Sequence, residues 1–554
     1  MVETVGVREP LPGVVYHPPD RLARYVAQGE LGHVALIDKL RHSLARHADR
    51  VAIITAAATI SYRELDEETD RIAAALMALG LAPLERVLFQ SANSPELLLA
   101  VIGCLKAGLI PVCTLAGHRE HEIGYLGNHT GAAAHIVQGN DPKFDYAAFA
   151  LAMRQRIPSI RHSLSLQESG HAEVPCLSAL ARQQEKQAAR QAVESIIHDP
   201  FQVAIFQLSG GTSGVPKVIP KMQNEYLLLM ERNIEALGMR SDDVIFMPMP
   251  MMHNAAMACI WLPLLLTGAA FAIPADMTPE GWGDVFRKAR PSWVGMIRAL
   301  FPRYDTMLEK GLASAESVRA YWTPDGARFA RQKYGKLAIG MFGMTEGMCM
   351  YPPLDAPADV LDWAAGRPIS PMDEVRLVRP GTAELAEDDE PGEMECRGPY
   401  TLCGYYDAPE RNAEVFTPDG FYKSGDLMLR RMLDGQPIYA FAGRTRDIID
   451  RGHEKVNCEE IEIAVSTHPA VSACAAVGMP DPVLGERICI YVILREGWDH
   501  LDVPGLSRHM KQLGLAKFKW PEHIELIDEL PLTKVGKLDK TTLRQRIKEK
   551  MERA

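Results

Sequence analysis

Apolar and polar positions alternate between helical and strand-like patterns along the first half of the chain. Ser61 and Glu64 form a capping-box pattern ahead of apolar positions at helical spacing, which predicts a helix. The stretch RVLFQ then predicts a strand, and Ser94 predicts the start of another helix that runs to Gly108. The next apolar stretch, LIPVC, predicts a further strand. This order favours parallel sheets covered by helices, which is an α/β fold.

Beyond residue 400 the pattern changes to Gly-, Asp- and Arg-rich turns between short strands. A smaller region follows, with a predicted helix in CEEIEIAVSTHP, a strand in ERICIYVIL and a charged tail that predicts a solvated helix. We therefore predict a large N-terminal domain, residues 1–446, with parallel-rich sheets covered by helices. A small, mobile α+β C-terminal domain is predicted over residues 447–554.

One long apolar stretch could pass for a membrane span, because residues 254–275 carry no charge. Pro263 and Gly268 interrupt it, which favours a buried helix followed by a buried strand. The chain has 47% hydrophobic and 24% charged residues, as soluble globular proteins do, and its net charge of -11 argues against nucleic acid or anionic lipid as a partner. Its ten cysteines form no CxxC pair and no basic leader precedes an apolar core, so we expect reduced thiols and a cytoplasmic location.

The stretch SGGTSGVPK, residues 209–217, has the glycines, hydroxyls and lysine of a phosphate-binding loop. It does not match the common P-loop, because Lys217 follows Pro216 and precedes Val218. Glycines still allow backbone N–H groups to approach phosphate oxygens closely. A phosphate loop and a plain surface turn are the two interpretations of this stretch alone.

Five segments in order make the first interpretation specific: SGGTSGVPK, FGMTEG, GYYDAPERNAEVFTPDGFYKSGDL, GRTRDIIDRGHEKVN and PLTKVGK. Together they resemble the adenylate-forming superfamily of acyl-CoA synthetases, peptide-synthetase adenylation domains and firefly luciferase. Upstream stretches such as GHREHEIGYL are similar to stand-alone aryl-acid ligases of siderophore and related pathways. The resemblance implies ATP and Mg²⁺ as cofactors, and two steps: formation of an acyl-adenylate, then transfer of the acyl group to a thiol.

The resemblance also implies roles for individual residues. The phosphate loop would hold the β- and γ-phosphates of ATP through Ser209, Gly210, Gly211, Thr212, Ser213, Gly214 and Lys217. Glu346 would bind magnesium, which accepts one carboxylate plus phosphates and water, and Thr345 would contact the α-phosphate. Asp426 would accept both ribose hydroxyls, as a carboxylate with two oxygens can.

The remaining implied roles concern the end of the chain. Arg444 would reach the ribose and phosphate, with a structural salt bridge as the alternative, and Asp447 would be the hinge. Lys537 would be the catalytic lysine, whereas its neighbour Lys540 is expected to be solvated. Gly452 and Lys455 would line a tunnel for the thiol. Because the chain ends soon after Lys537, any carrier protein is expected to be a separate molecule, and CoA is the alternative acceptor.

The segment MPMMHNAAMACIWL carries the implied acid pocket. By the resemblance, His253 lies near the substrate carboxylate, as a further catalytic residue, and Asn254 hydrogen-bonds a hydroxyl ortho to it. An amide that pairs with one substrate hydroxyl discriminates well, because it is left unpaired without that hydroxyl. Cys259 is a poor hydrogen-bond donor and favours a salicylate-like acid over 2,3-dihydroxybenzoate. The alternative is a capped helix start with a satisfied His-Asn pair.

Three further positions bear on the shape of this pocket. Gly343 in FGMTEG is placed in it by the resemblance, and Ala255 stands where relatives have a large aromatic ring, which predicts room for a substituted or bicyclic acid. VRAYWT replaces a glycine-rich segment of the relatives, so Tyr321 and Trp322 are expected to refill that room. The sequence thus predicts an ATP-dependent aryl-acid–AMP ligase, with an aryl-CoA ligase and a non-catalytic adenylate-binding protein as alternatives.

Overall fold

The computed structural model describes residues 5–139, 141–209, 216–451, 454–482, 484–513, 515, 517–533 and 538–553, with the backbone alone at 446, 450, 454 and 455. It contains two compact units. Met1–Glu374 with Cys396–Tyr422 forms the first, and Val375–Glu395 with Lys423–Ala554 forms the second. The predicted division after residue 446 falls within the second unit and stays a prediction.

Helices are distributed along the whole described chain. In chain order the α-helices of the described ranges are α1 Pro19–Ala27, α2 Leu36–Arg46, α3 Tyr62–Ala78, α4 Pro95–Lys106, α5 Glu120–Thr130, α6 Tyr146–Arg156, α7 Leu177–Arg182, α8 Lys186–Glu194, α9 Gln223–Leu237, α10 Asn254–Ala256, α11 Leu262–Thr267, α12 Pro279–Ala289, α13 Phe301–Glu309, α14 Ala327–Tyr334, α15 Ala358–Trp363, α16 Pro409–Val415, α17 Cys458–Ser466, α18 Val503–Gln512 and α19 Lys540–Arg553.

Strands alternate with these helices in the first unit and dominate the second. Within the same ranges they are β1 Val51–Ile54, β2 Thr59–Ser61, β3 Arg86–Gln90, β4 Ile110–Val112, β5 Ala134–Val137, β6 His162–Ser165, β7 Val203–Ser209, β8 Lys217–Met222, β9 Val244–Phe246, β10 Ala270–Ala272, β11 Trp293–Gly295, β12 Ala320–Thr323, β13 Leu337–Gly340, β14 Phe342–Gly343, β15 Cys349–Tyr351, β16 Arg367–Pro368, β17 Glu374–Val378, β18 Gly392–Arg397, β19 Tyr422–Leu433, β20 Gln436–Arg444, β21 Ile448–Arg451, β22 Glu454–Asn457, β23 Val471–Asp481, β24 Gly485–Leu494 and β25 His523–Leu526.

Two mainly parallel sheets build the first unit. One has the order β6-β5-β3-β4-β7-β8 and is parallel except at β7/β8. The other has the order β13-β12-β11-β9-β10-β1-β2 and is parallel except at β1/β2. Their inner strands, such as β3, β4 and β5 in the first sheet and β10, β11 and β12 in the second, are almost entirely buried, as expected when helices cover both faces. The predicted α/β class is confirmed.

Local signals set where the early helices begin. The Ser61 side chain accepts from the Glu64 backbone N–H, and the Glu64 carboxylate accepts from the Ser61 N–H, so the predicted capping box starts α3. The Ser94 hydroxyl accepts from the Leu97 N–H and starts α4, which ends at Lys106, two residues before the predicted end. Both predicted helices are confirmed, and so are the strand RVLFQ between them and the strand in LIPVC after the second helix.

The apolar stretch from residue 254 folds as α10, a π-helical turn Met257–Trp261, α11 and then β10. Gly268 ends α11 in the left-handed conformation, at φ +83°. Among the described residues no helix is long and apolar enough to cross a membrane. The predicted buried helix followed by a buried strand is confirmed.

The second unit is mainly antiparallel, with sheets in the order β17-β18-β19-β20 and β22-β21-β24-β23, and with β25 parallel to β24. The terminal helix α19 is not solvated on all sides, because Leu543 and Ile547 are fully buried against the β23–β24 layer. The predicted α+β character of this region is confirmed.

Candidate functional site

The predicted phosphate loop joins β7 to β8. Ser209, the last residue of β7, pairs in register with Lys217, the first of β8, so the two ends of the loop are adjacent. The loop residues Gly210, Gly211, Thr212, Ser213 and Gly214 lie outside the described residues. The Ser209 hydroxyl is buried and has no hydrogen-bond partner among the residues described, as a group awaiting a ligand would be. An antiparallel hairpin also differs from the strand-to-helix turn of a P-loop.

Lys217 and the predicted metal ligand Glu346 meet through Tyr405. The Lys217 ammonium lies 5.0 Å from the centre of the Tyr405 ring. The Tyr405 hydroxyl donates to Glu346 Oε1 at 2.7 Å, and the Glu346 carboxylate is buried. Tyr405 therefore links the two: its ring contacts Lys217 at the base of the phosphate loop, and its hydroxyl binds the Glu346 carboxylate.

The direction of hydrogen bonding around Tyr405 is fixed. A carboxylate only accepts, so the single Tyr405 proton points to Glu346, and Tyr422, whose hydroxyl is 2.9 Å away, must donate to Tyr405. Burial raises the pKa of Tyr405, and the nearby Glu346 charge raises it further. The donor therefore keeps its proton at neutral pH.

The turn that presents Glu346 connects β14 to β15. Gly343 is the last residue of β14 and pairs with Cys349, and Thr345 is half-buried in the turn. Gly347 follows at φ +154°, where an added Cβ would lie 2.3 Å from the Thr401 Cα. Only glycine fits this close approach, which holds the Glu346 backbone in place.

At the predicted metal position, the residue available to bind a cation is the single carboxylate of Glu346. Among the described residues, no group of three or more His, Cys, Asp or Glu side chains could hold a metal ion. Magnesium takes oxygen ligands and commonly keeps one or two carboxylates plus phosphates and water. The buried Glu346 therefore fits a metal that arrives with a nucleotide.

Lys221 was missed by the sequence interpretation. It lies on β8, is buried, and no described residue accepts a hydrogen bond from its Nζ. Burial lowers its pKa to about 8, while the charges of Glu225, Glu346 and Cys259 act in the opposite direction. A buried lysine close to Glu346 and Cys259 has no local pattern in sequence, because these neighbours come from other elements.

The predicted ribose residues lie on neighbouring strands of the second unit. Asp426 on β19 and Arg444 on β20 are register partners, with Arg444 Nε 3.2 Å from Asp426 Oδ1. The Asp426 side chain is 12% exposed and that of Arg444 39%. The salt-bridge alternative for Arg444 matches this contact, and the nucleotide roles of both residues stay predictions.

The predicted hinge residue Asp447 ends a 3₁₀ turn, Thr445–Asp447. Arg544 donates to its Oδ1 at 2.6 Å, and Lys540 lies 3.9 Å from Oδ2. Lys540 also pairs with Glu462 at 2.7 Å and is only 13% exposed, so the expectation that it is solvated is wrong. It is a structural cation between two carboxylates.

Three predicted residues of this region cannot be placed. Lys537 and Gly452 lie outside the described residues, and so does the side chain of Lys455, whose backbone belongs to β22.

The acid-pocket segment contains the start of α10. His253 is the N-cap, and its Nδ1 accepts from the Ala255 backbone N–H at 3.3 Å. Asn254 is 7% exposed, and its Oδ1 accepts from the Tyr226 hydroxyl at 2.8 Å. The alternative of a capped helix start therefore applies to His253. The hydrogen bond of the Asn254 side chain goes instead to Tyr226 of α9.

Tyr321 and Trp322 point to opposite faces of β12, as successive strand residues do. Tyr321 packs with Tyr304 and Tyr334 in a separate core. Trp322 lies in the large core against which Ala255 packs, and its Nε1 donates to the Tyr351 hydroxyl at 3.2 Å. The expectation that both residues fill the pocket side is wrong for Tyr321, because strand alternation turns it away.

Cys259 lies at the same end of the pocket segment, beside Cys349 and Tyr351. All three are buried, and the contact to Cys259 together with burial raises the pKa of Cys349 well above its usual value. Neither thiol forms a disulfide. They form a wall with weak hydrogen-bonding capacity.

Comparison with known proteins agrees with this arrangement. Residues 40–406 match the family model described as AMP-binding enzyme, and residues 460–537 match the AMP-binding enzyme C-terminal domain. The chain is 34% identical to a 2-hydroxy-7-methoxy-5-methyl-1-naphthoate–CoA ligase of Streptomyces carzinostaticus, over 98% of each chain. It is 32% identical to the 2,3-dihydroxybenzoate-AMP ligase of Bacillus subtilis, over 96% of this chain and 97% of the relative.

A solved structure is similar over the same length. MbtA of Mycobacterium smegmatis, in its apo form, superposes with a TM-score of 0.72 at 31% identity and covers 96% of this chain and 99% of its own. Motif order, fold, and family models that match most of the chain lead to one conclusion: this chain belongs to the AMP-binding enzyme family of adenylate-forming enzymes.

Proposed function

We propose that the protein activates an aromatic carboxylic acid with ATP and passes the acyl group to the phosphopantetheine thiol of a separate carrier protein. One observation supports the aryl-acid part: Asn254, next to His253 in the segment assigned to the acid pocket, has a buried side-chain amide. An acidic residue there would suit a primary amine instead, and residues 251–264 contain none. The relatives named above act on hydroxylated aryl acids, which supports the proposal.

In the first step a carboxylate oxygen of the acid attacks the α-phosphorus of ATP. The bond from that phosphorus to the bridging oxygen breaks, and pyrophosphate leaves with the electron pair. Little covalent chemistry falls to the protein, so positioning and charge neutralisation supply the catalysis. The loop from Ser209 to Lys217 would hold the β- and γ-phosphates, Thr345 the α-phosphate, and Lys537 the oxygens that gain charge.

Glu346 would hold Mg²⁺, which neutralises phosphate charge when bound. Tyr405 orients that carboxylate through its 2.7 Å hydrogen bond. Asp426 and Arg444 would bind the ribose, and Asp447 would be the pivot on which residues 447–554 turn between the steps. In the second step the thiol would lose its proton and its sulfur would attack the acyl carbonyl carbon, and the bond from that carbon to the AMP oxygen would break so that AMP leaves. Gly452 and Lys455 would line the tunnel for the thiol.

ATP–pyrophosphate exchange against a panel of acids tests this proposal. The panel contains salicylate, 2,3-dihydroxybenzoate, benzoate, anthranilate, quinoline-2-carboxylate, a fatty acid and several amino acids. We expect exchange with ring acids that carry a polar group ortho to the carboxylate, and none with the fatty acid or the amino acids. Exchange confined to aliphatic or amino acids would overturn the aryl-acid assignment.

The acceptor is tested in the second half-reaction. A CoA ligase is the second candidate, favoured by the naphthoate–CoA ligase among the relatives. AMP release is measured with the best acid of the panel, in the presence of either CoA or a phosphopantetheinylated aryl carrier protein. Faster release with the carrier protein supports the proposal, and faster release with CoA replaces it by the second candidate.

A further inference from the structure

The loop that carries Tyr405 holds the turn of Glu346 at two points. This Tyr405 loop, residues 398–408, joins β18 to α16 and belongs to the first unit. The Leu402 N–H donates to the Glu346 carbonyl oxygen at 2.8 Å, and the Tyr405 hydroxyl donates to Glu346 Oε1 at 2.7 Å. The position of the Glu346 carboxylate therefore depends on the position of this loop.

Residues 13–17, here called the N-terminal segment, pack against the same loop. The Asp407 N–H donates to the Gly13 carbonyl oxygen at 2.9 Å. A Cβ added to Gly404 would lie 2.7 Å from Cγ2 of Val15, so the loop backbone approaches this side chain closely. The N-terminal segment is thus a packing partner of the loop that orients Glu346.

His17 fixes this contact through both of its ring nitrogens. Its side chain is buried, with Nε2 3.3 Å from the Pro399 carbonyl oxygen and Nδ1 3.1 Å from the Cys403 sulfur. A carbonyl oxygen only accepts, so Nε2 carries the proton and Nδ1 accepts from the Cys403 thiol. Burial lowers the pKa of His17 to about 4, so the ring is neutral at neutral pH and keeps this tautomer.

His17 also contacts the β8–α9 segment. Its Nε2 lies 3.3 Å from Oε1 of Glu225, a buried residue in the first turn of α9. Helix α9 directly follows β8, the strand that begins at Lys217. One buried ring therefore joins the loop that orients Glu346 to the segment that begins at the base of the phosphate loop.

We propose, building on the proposed function, that His17 is a positioning residue for the magnesium ligand. It holds the Tyr405 loop through Pro399 and Cys403, and the loop in turn holds Glu346. The inference gives the start of the chain a part in nucleotide binding, although the five ordered motifs begin only at residue 209.

ATP binding without an acid tests the inference in the absence of turnover. The Kd of ATP is measured by isothermal titration calorimetry, once with Mg²⁺ and once with EDTA. The ratio of the EDTA value to the Mg²⁺ value reports what the metal contributes, whereas general damage to the fold changes both values alike. We expect His17→Phe, which keeps a ring but removes both nitrogens, to lower this ratio about threefold. A direct partner of a metal ligand is typically worth about 10- to 100-fold, and His17 acts one step further out.

Three further variants separate this role from plain packing. Tyr16→Phe removes a hydroxyl of the same segment that donates to Gln202 at 2.7 Å and not to the Tyr405 loop, so the ratio should stay as in the wild type. Cys403→Ala removes the donor to His17 and should lower the ratio, whereas Cys403→Ser keeps a donor and should preserve it. If His17→Phe does not fold, the two Cys403 variants decide.

A double variant tests the route to the metal. His17→Phe combined with Tyr405→Phe should lower the ratio by less than the product of the two separate effects, because both changes act on Glu346. An unchanged ratio in His17→Phe, or the full product in the double variant, overturns the inference and leaves the proposed function standing. A wild-type ratio of one instead overturns the nucleotide site of the proposed function.

Discussion

Tyr405→Phe removes one hydroxyl and leaves the ring in place. Lys217 keeps its ring contact at 5.0 Å, but Glu346 loses the donor at 2.7 Å, and the Tyr422 hydroxyl loses its acceptor. The change therefore isolates the hydrogen bond that orients the proposed magnesium ligand. Removing an outer partner of this kind typically lowers metal affinity or activity 10- to 100-fold.

The structure supports the lower part of that range. Glu346 is buried, so a charged hydrogen bond to it is worth about 1.5–3 kcal/mol. Each 1.4 kcal/mol corresponds to about tenfold in an equilibrium constant. Part of the loss falls on folding rather than on binding, because Tyr422 is left without its acceptor, so we expect about a tenfold effect on magnesium.

The assay is pyrophosphate exchange at saturating acid and ATP, titrated with Mg²⁺. We expect the half-maximal Mg²⁺ concentration to rise about tenfold in Tyr405→Phe, with the saturated rate changed much less. Tyr422→Phe is the matched control, since it removes the outer hydroxyl and keeps the bond to Glu346. An unchanged Mg²⁺ requirement in the first variant, or an equal rise in the second, would refute the reasoning.

Three further predictions concern other parts of the chain. Lys537→Ala should lower exchange by about 10²–10³-fold with an unchanged circular dichroism spectrum, and near-normal exchange would contradict the assigned role. Burial raises the pKa of Asp373 to about 7, so the stability that its protonated form contributes is present below about pH 4 and is lost as the pH rises to about 7. Asp373→Asn should therefore gain stability relative to the wild type over that pH range, by at most about 4 kcal/mol. Melting curves measure this difference, and a difference that stays constant with pH would contradict the prediction. Gly347→Ala should lower the melting temperature, because the added Cβ would meet Thr401. Gly124→Ala should not lower it, since the space around Gly124 is open. Equal effects of the two changes would exclude the steric cause.

Much of the architecture was accessible from local sequence. The helix starts at Ser61 and Ser94 follow from side chains that cap backbone groups within three residues. Short apolar strands between them predict parallel sheets, since both faces must be covered. The family, and with it the chemistry, was accessible from five ordered motifs. In each case the information lies within one short segment or in the order of segments.

Hydrogen-bond partners between distant segments were not accessible. Tyr405 reaches Glu346 across 59 residues, and Tyr226 reaches Asn254 across 28. The sequence identified both receiving residues but neither tyrosine, because no local pattern marks a tyrosine as a partner. The same holds for Lys221, whose surroundings come from several elements.

The sequence by itself predicts which residues bind nucleotide and acid, whereas the tertiary structure decides how the described ones are oriented. Successive residues of a strand point to opposite faces, but only packing decides that Trp322 faces the core around Ala255 and Tyr321 the other core. An asparagine side chain can donate or accept, and only folding brings the Tyr226 hydroxyl to Asn254 Oδ1. The orientation of a side chain and the direction of its hydrogen bonds depend on neighbours that only folding brings close. Sequence patterns therefore identify the residues without giving their orientation.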